Sequence, residues 1–181
     1  MTDDRQTREK RFRCLYDAHS SAVRGYAWRR EPDIADDIVA ETFTLAWQRL
    51  DKVPDDALPW LLGVARNVRL NLTRGERRRR ERELRCVEQD VAPSPSGEVE
   101  ARSSLNAILR RLHQRDREIL LLAAWERLDR ADLATVLGCS KATAAVRLLR
   151  ARRHLTAVLA EASAEPRISP SDIRGGLPDE N

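Results

Sequence analysis

Asp129-Arg130-Ala131-Asp132-Leu133-Ala134-Thr135-Val136-Leu137-Gly138-Cys139-Ser140-Lys141-Ala142-Thr143-Ala144-Ala145-Val146 holds two helix starts and one helix stop. Asp129 is a natural N-cap, because its carboxylate can accept bonds from the free amides of a first turn. Ala131 to Leu137 then reads as a short helix, and Gly138 suits the left-handed conformation of a helix exit. Ser140 is the next N-cap, and a longer helix runs on from Lys141. A short helix, a tight turn with Gly and a longer basic helix form the helix-turn-helix pattern. Ala144, Leu148, Ala151 and Leu155 recur at steps of four, three and four and face inward. At 100° per residue the outer face carries Ala142, Val146, Leu149, Arg150 and Arg153. Arg147, Arg152 and His154 flank it, where a helix in a major groove meets phosphates. Val146 and Leu149 are awkward on a solvated face but suit thymine methyl groups.

Upstream, Leu105, Ile108, Leu109 and Leu112 mark one amphipathic helix and Asp116 to Trp125 another. A second helical domain is expected over 104–161. Before it, 86–103 holds Pro93, Pro95, Ser94, Ser96, Gly97 and four acids ahead of Arg102, a flexible acidic linker. After it, 162–181 contains Pro166, Pro170, Gly175, Gly176 and Pro178 without periodicity, and a disordered tail is expected. A first domain is expected over 8–85. Phe12, Leu15, Tyr16, His19, Val23 and Tyr26 make one stripe of a helix from Glu9 to Arg30. Glu31-Pro32-Asp33 breaks it, and Asp33 is positioned to cap a helix from Ile34 to Leu50. Trp60 opens a third helix with Leu61, Val64, Ala65, Val68 and Leu72 inward. Its other side shows Gly63, Arg66, Asn67, Leu70 and Arg74, followed by Arg77-Arg78-Arg79-Arg80. The fold class is all-α: two small helical domains and a linker. At least three of Trp28, Trp47, Trp60 and Trp125 are expected in the core.

Charge is distributed unevenly along the 181 residues. The net value is only +4, but Glu31 to Asp56 carries eight acids against Arg49 and Lys52. Arg66 to Arg85 carries nine Arg against Glu76, Glu81 and Glu83. An acidic face followed by a basic one suggests two different partners. Of the 33 basic residues all but Lys10, Lys52 and Lys141 are Arg, whose planar fork suits phosphate and guanine edges. A GC-rich genome is an equal reading of that excess. Four consecutive Arg exceed what helix capping requires and favour nucleic acid.

Several function classes are set aside. Cys14, Cys86 and Cys139 are scattered and read as reduced core fillers; no His stands at metal-ligand spacing, so no metal or cofactor is expected. No paired carboxylates, metal set or phosphate loop supports an enzyme, and no catalytic residue is assigned. The longest apolar run, Ile119 to Trp125, is seven residues against the roughly 20 that span a bilayer. With no apolar segment behind Met1–Arg5, a cytoplasmic protein without membrane insertion is expected. A stand-alone repressor or activator would use the helix-turn-helix but need neither the acidic helix nor the arginine-rich one.

Taken in order, these motifs resemble the extracytoplasmic-function (ECF) sigma factors of bacterial RNA polymerase. Leu15-Tyr16-Asp17-Ala18-His19 is similar to the family's opening motif. Asp36-Asp37-Ile38-Val39-Ala40-Glu41-Thr42-Phe43, with Ala46-Trp47, resembles its polymerase-clamp-binding helix. Trp60-Leu61-Leu62-Gly63-Val64-Ala65-Arg66-Asn67 resembles the helix that reads the melted minus-ten element. Arg115 to Leu120, Asp132 to Gly138 and Arg147 to Arg152 resemble the minus-thirty-five reader. The resemblance implies that Asp36, Asp37 and Glu41 contact core polymerase. It implies that Arg66, Asn67, Asn71, Arg74, Arg77 and Arg78 face minus-ten DNA. Lys141, Thr143, Val146, Arg147, Arg150 and Arg153 would face minus-thirty-five DNA. The implied partners are core RNA polymerase, promoter DNA and an anti-sigma factor. Two departures stand out: the family's usual Gln is Ala40 here, and its common basic-Ser pair is Ala145-Val146.

Overall fold

The computed structural model describes residues 2–83 and 107–164, with the side chains of 5–75 and 107–163. The linker 86–103 and nearly all of the tail, from 165 on, lie outside the described residues, as do Cys86 and Leu105. Among the described residues every regular element is helical. The elements are α1 (Thr2–Trp28), α2 (Ala35–Gln48), α3 (Ala57–Glu83), α4 (Gln114–Trp125), α5 (Arg130–Leu137) and α6 (Lys141–Ala164). A helical stretch at 107–111 precedes α4.

In the first unit α1, α2 and α3 pack on one another. Val23, Tyr26 and Ala27 of α1 meet Ile38, Val39, Phe43 and Ala46 of α2 and Leu61, Ala65 and Val68 of α3, all buried. Phe12, Tyr16, Phe43 and Trp47 interlock, edge-on except for the tilted Phe12–Tyr16 pair, with Tyr16 and Phe43 centroids 4.7 Å apart. Arg8 Nη2 donates to the Trp47 carbonyl (2.8 Å) and Arg11 Nη2 to that of Val53 (3.1 Å), tying α1 to the α2 exit. Two local expectations need correcting. Asp33 does not cap α2: Pro32–Ile34 closes into a 3-10 turn, and the N-cap position falls on Ile34 without a side-chain bond. Helix α1 also starts at Thr2, a full turn or more before Glu9.

The second unit follows the sequence reading closely. Asp129 Oδ1 accepts from Ala131 N (2.6 Å) and Asp132 N (2.9 Å), and Asp132 Oδ2 accepts from Asp129 N (3.0 Å). This reciprocal capping box starts α5. Gly138 exits α5 at φ 61°, ψ 44°, and Cys139 N reaches back to the Ala134 carbonyl at 3.0 Å. Ser140 Oγ accepts from Thr143 N (3.1 Å) at the start of α6. Ala144, Leu148 and Ala151 are buried and Leu155 half-buried, whereas Val146 and Leu149 are 49% and 52% exposed.

The two units are not separate beads. Helix α3 packs against α5, and the buried residues of both form one continuous core. A Cβ on Gly63 would stand 3.5 Å from Val136 Cα and 3.6 Å from the Thr135 carbonyl oxygen. Gly63, expected on an open face, is thus a point where the backbones of α3 and α5 approach closely. Leu62 and Arg69 are buried as well, giving α3 a second buried face beside the expected one. The tryptophan expectation fails for two of four: Trp28 is 58% and Trp125 48% exposed, while Trp47 and Trp60 are half-buried. Cys14 is exposed too, so among the described cysteines Cys139, half-buried against the core, is the one that behaves as filler.

Candidate nucleic-acid interface

Three surfaces gather the residues singled out by sequence. The first is the solvent side of α2. Its inward positions, Ile38, Val39, Thr42, Phe43 and Ala46, leave Asp36, Asp37 and Glu41 exposed on the other side. Thr42 satisfies its buried hydroxyl on the Ile38 carbonyl (2.6 Å), so the apolar side carries no unpaired polar atom there. Asp36 makes an exposed ion pair with Arg24 (3.2 Å), worth little in water. The surface is an acidic strip on a rigid helix.

The second surface is α3. Asn67, Asn71 and Arg74 are exposed and spaced by three to four residues, one face of the helix. Arg77 and Arg78 continue the helical backbone, but their side chains lie outside the described residues. Arg66 is placed differently. Its Nη2 donates to Glu118 Oε2 of α4 at 3.1 Å, and its side chain is only 22% exposed. The third surface is α6, where Lys141, Val146, Arg147, Arg150 and Arg153 point outward. Thr143 is half-buried, its hydroxyl 2.8 Å from Ser140 Oγ.

The second and third surfaces border one cleft of about 440 Å³, with Arg66 on one wall and Arg115, Arg147 and Arg150 on the other. Sequence reasoning missed the ion pairs between the two units. Glu118 accepts from both Arg66 and Arg69 (2.9 Å to the latter), and Glu126 accepts from Arg29 (2.6 Å) and Arg30 (3.2 Å). Arg69 also pairs with Glu31 at 3.3 Å. The available signal was that Glu118 and Glu126 bracket the apolar run Ile119–Trp125, which placed two acids at the ends of a buried segment.

Burial sets the electrostatics of this seam. It pulls the pKa of Arg30 down, with Tyr26 and Glu126 working the other way; the guanidinium carbon sits 3.9 Å from the Tyr26 ring centroid. Burial likewise raises the Tyr26 hydroxyl. For Arg69 burial opposes the charge, but Tyr26, Glu118 and Glu31 outweigh it and its pKa lies above the usual arginine value. Away from the seam, the backbone amides of Asp132 and Ala131 hold Asp129 below the ordinary carboxylate value. Among the described residues there is no group of His, Cys, Asp and Glu that could hold a metal ion. Nor is any described helix long and apolar enough to cross a membrane.

Comparison with known proteins agrees with the division into two units. Residues 15–79 match the Sigma-70 region 2 family and residues 102–155 match Sigma-70, region 4. The chain is 36% identical over 140 residues to RNA polymerase sigma factor NccH of Alcaligenes xylosoxydans xylosoxydans, covering 71% of this chain and 74% of NccH. It is 33% identical over 135 residues to ECF RNA polymerase sigma factor EcfG of Rhodopseudomonas palustris (strain TIE-1), covering 70% and 72%. Its fold is similar to that of the sigma factor RpoE from Bartonella quintana, solved with the anti-sigma factor NepR. That likeness has a TM-score of 0.63 and 24% identity, over 86% of this chain and 98% of RpoE. It is also similar to CnrH, solved with the cytosolic domain of CnrY, at a TM-score of 0.56 and 25% identity, over 83% and 88%. Two matched regions in the right order, on an all-helical chain with an acidic helix ahead of a basic one, place this protein among the ECF sigma factors of RNA polymerase.

Proposed function

We propose that this sigma factor works through three contacts made by the surfaces above. Asp36, Asp37 and Glu41 dock α2 on a basic surface of core polymerase. Asn67, Asn71 and Arg74, with Arg66, Arg77 and Arg78, hold the unpaired minus-ten strand, amides on base edges and guanidiniums on phosphates. Lys141, Thr143, Val146, Arg147, Arg150 and Arg153 engage duplex DNA at the minus-thirty-five element, with Val146 and Leu149 against thymine methyls. The functional units run over 8–85 and 104–161, joined by 86–103. The protein acts in the cytoplasm and supplies recognition, with no catalytic step of its own. CnrH was solved with a protein partner, and an anti-sigma protein is proposed as the third partner here.

The observation that carries the polymerase contact is the exposed acidic strip on a helix whose opposite side is buried in the core, a feature a stand-alone repressor has no use for. The test is a runoff assay with reconstituted holoenzyme. Transcripts are expected from a promoter that the chain alone does not open. Tight duplex binding without polymerase, and no transcript with it, would favour the repressor. Asp37→Arg with Glu41→Arg should abolish co-purification with core polymerase while the circular dichroism spectrum stays helical; unchanged co-purification would refute the docking assignment.

A further inference from the structure

Helix α6 is distinguished by what its outer face lacks. At 100° per residue its outward line runs through Ala142, Ala145, Val146 and Leu149 before it reaches Arg153. Ala142, Val146 and Leu149 are exposed and Ala145 is half-buried. From Ala142 to Leu149, about 10 Å along the axis, none of these four side chains can donate or accept a hydrogen bond. The hydroxyls nearest this stretch serve the helix cap: Ser140 Oγ lies 2.8 Å from Thr143 Oγ1 and accepts from Thr143 N at 3.1 Å. The cations stand at the borders, Lys141 and Arg152 on one side, Arg147 and Arg150 on the other, all exposed.

The N-terminal half of such a helix is the part that meets base edges in a major groove. Val146 and Leu149, 49% and 52% exposed, are neighbours at i and i+3 with Cβ atoms about 5–6 Å apart, so they form one patch. Cations on both borders fit that patch to a polyanion rather than to an apolar protein partner. Of the groups that a base pair shows in the major groove, the C5-methyl of thymine is the apolar one. The other groups are donors or acceptors, which lose water against Val146 or Leu149 and gain no partner. A methyl added at C5 of cytosine puts the same apolar group in the same place. Aliphatic side chains respond to that methyl, whichever of a carbonyl or an amino group lies beside it. The bordering guanidiniums hold phosphates equally in any sequence.

We propose that α6 reads the C5-methyl of pyrimidines, so that 5-methylcytosine takes the place of thymine in the upstream element and cytosine methylation there strengthens recognition by the holoenzyme. Methyl reading rests on α6 being the minus-thirty-five contact, so the test keeps the two apart. A promoter is selected from a random duplex pool with reconstituted holoenzyme. Its upstream element is then resynthesised with deoxyuridine for each thymine in turn, and with cytosine or 5-methylcytosine opposite guanine at the same positions. Competition against the labelled parent duplex gives relative affinities. At one or two positions deoxyuridine should weaken binding about fourfold, the worth of one buried methyl, and 5-methylcytosine should exceed cytosine by the same factor. Val146→Ala with Leu149→Ala, which keeps good helix formers at both exposed positions, should erase both differences. Methyl reading is overturned, and the contact stands, if thymine and deoxyuridine bind equally while Arg150→Ala still weakens every duplex. A selected element without thymine, or an equal loss from deoxyuridine in the spacer, overturns it as well. A methyl preference that survives in the double alanine chain removes Val146 and Leu149 from the assignment. If Arg150→Ala weakens no duplex, α6 is not the upstream contact and both readings fall.

Discussion

Asp129 shows how much one short side chain decides. Its carboxylate holds two amides of α5 while its own amide is held by Asp132, which closes the first turn without help from elsewhere in the chain. Asp129→Ala should lower the melting temperature by a few degrees, the usual scale for losing a cap in a chain of this size. Asp129→Asn should keep most of the stability, since an amide oxygen can still accept. The two also differ with pH. The folded pKa of Asp129 lies below its ordinary value of 3.8, so its contribution is complete above 3.8 and lost as pH falls through the folded value. Thermal melts between neutral and strongly acid pH should therefore show a steeper acid limb for the parent than for Asp129→Asn. Residues of this kind, with Gly138 and Ser140, were readable because their partners lie within a few positions. Asp33 looked equivalent and is not, because Pro32 pre-sets the backbone into a 3-10 turn and moves the cap position to Ile34.

At the scale of the helix, α3 has two buried faces, and only one showed in the apolar periodicity. The stripe of Leu61, Ala65 and Val68 marked the face against α1 and α2. The other face reads as polar, because Gly63, Arg66 and Arg69 make it up, and their partners in α4 and α5 are 49 or more positions away. Local spacing carries no information about such pairs, so a face engaged in ion pairs was indistinguishable from one open to DNA. Helix α6 was the easier case, since its inward residues are all apolar and its outward ones come from a pattern of one period. A specific expectation follows at Gly63. Its added Cβ would meet Val136 at ordinary contact distance, and alanine favours helix over glycine by about 1 kcal/mol. Gly63→Ala should fit the seam and leave the melting temperature equal or higher; a clear fall in a thermal melt would show that the two backbones tolerate no methyl group between them.

For the whole molecule, the continuous core means that the two sigma regions share stability while they are docked. Unfolding of the parent is expected as one cooperative transition by calorimetry. Leu62 is fully buried and lines the groove beside Trp125 and Glu126, so it belongs to the seam as well as to the first unit. Leu62→Ala should cost roughly 2–5 kcal/mol, the range for emptying such a site, and split the calorimetric peak as the units uncouple. Two resolved transitions already in the parent would disprove the shared core. The half-exposed Trp125 gives this docking an optical readout. Its indole shares a groove with Leu58 and Leu62 of the other unit. When the units part, that ring loses its apolar neighbours to water, and its emission should move to longer wavelength. With Trp28 replaced by Phe to remove the most solvated background signal, the protein would carry a built-in fluorophore. It would report, without attached dye, on a parting of the two units in a stopped-flow cell when polymerase is added.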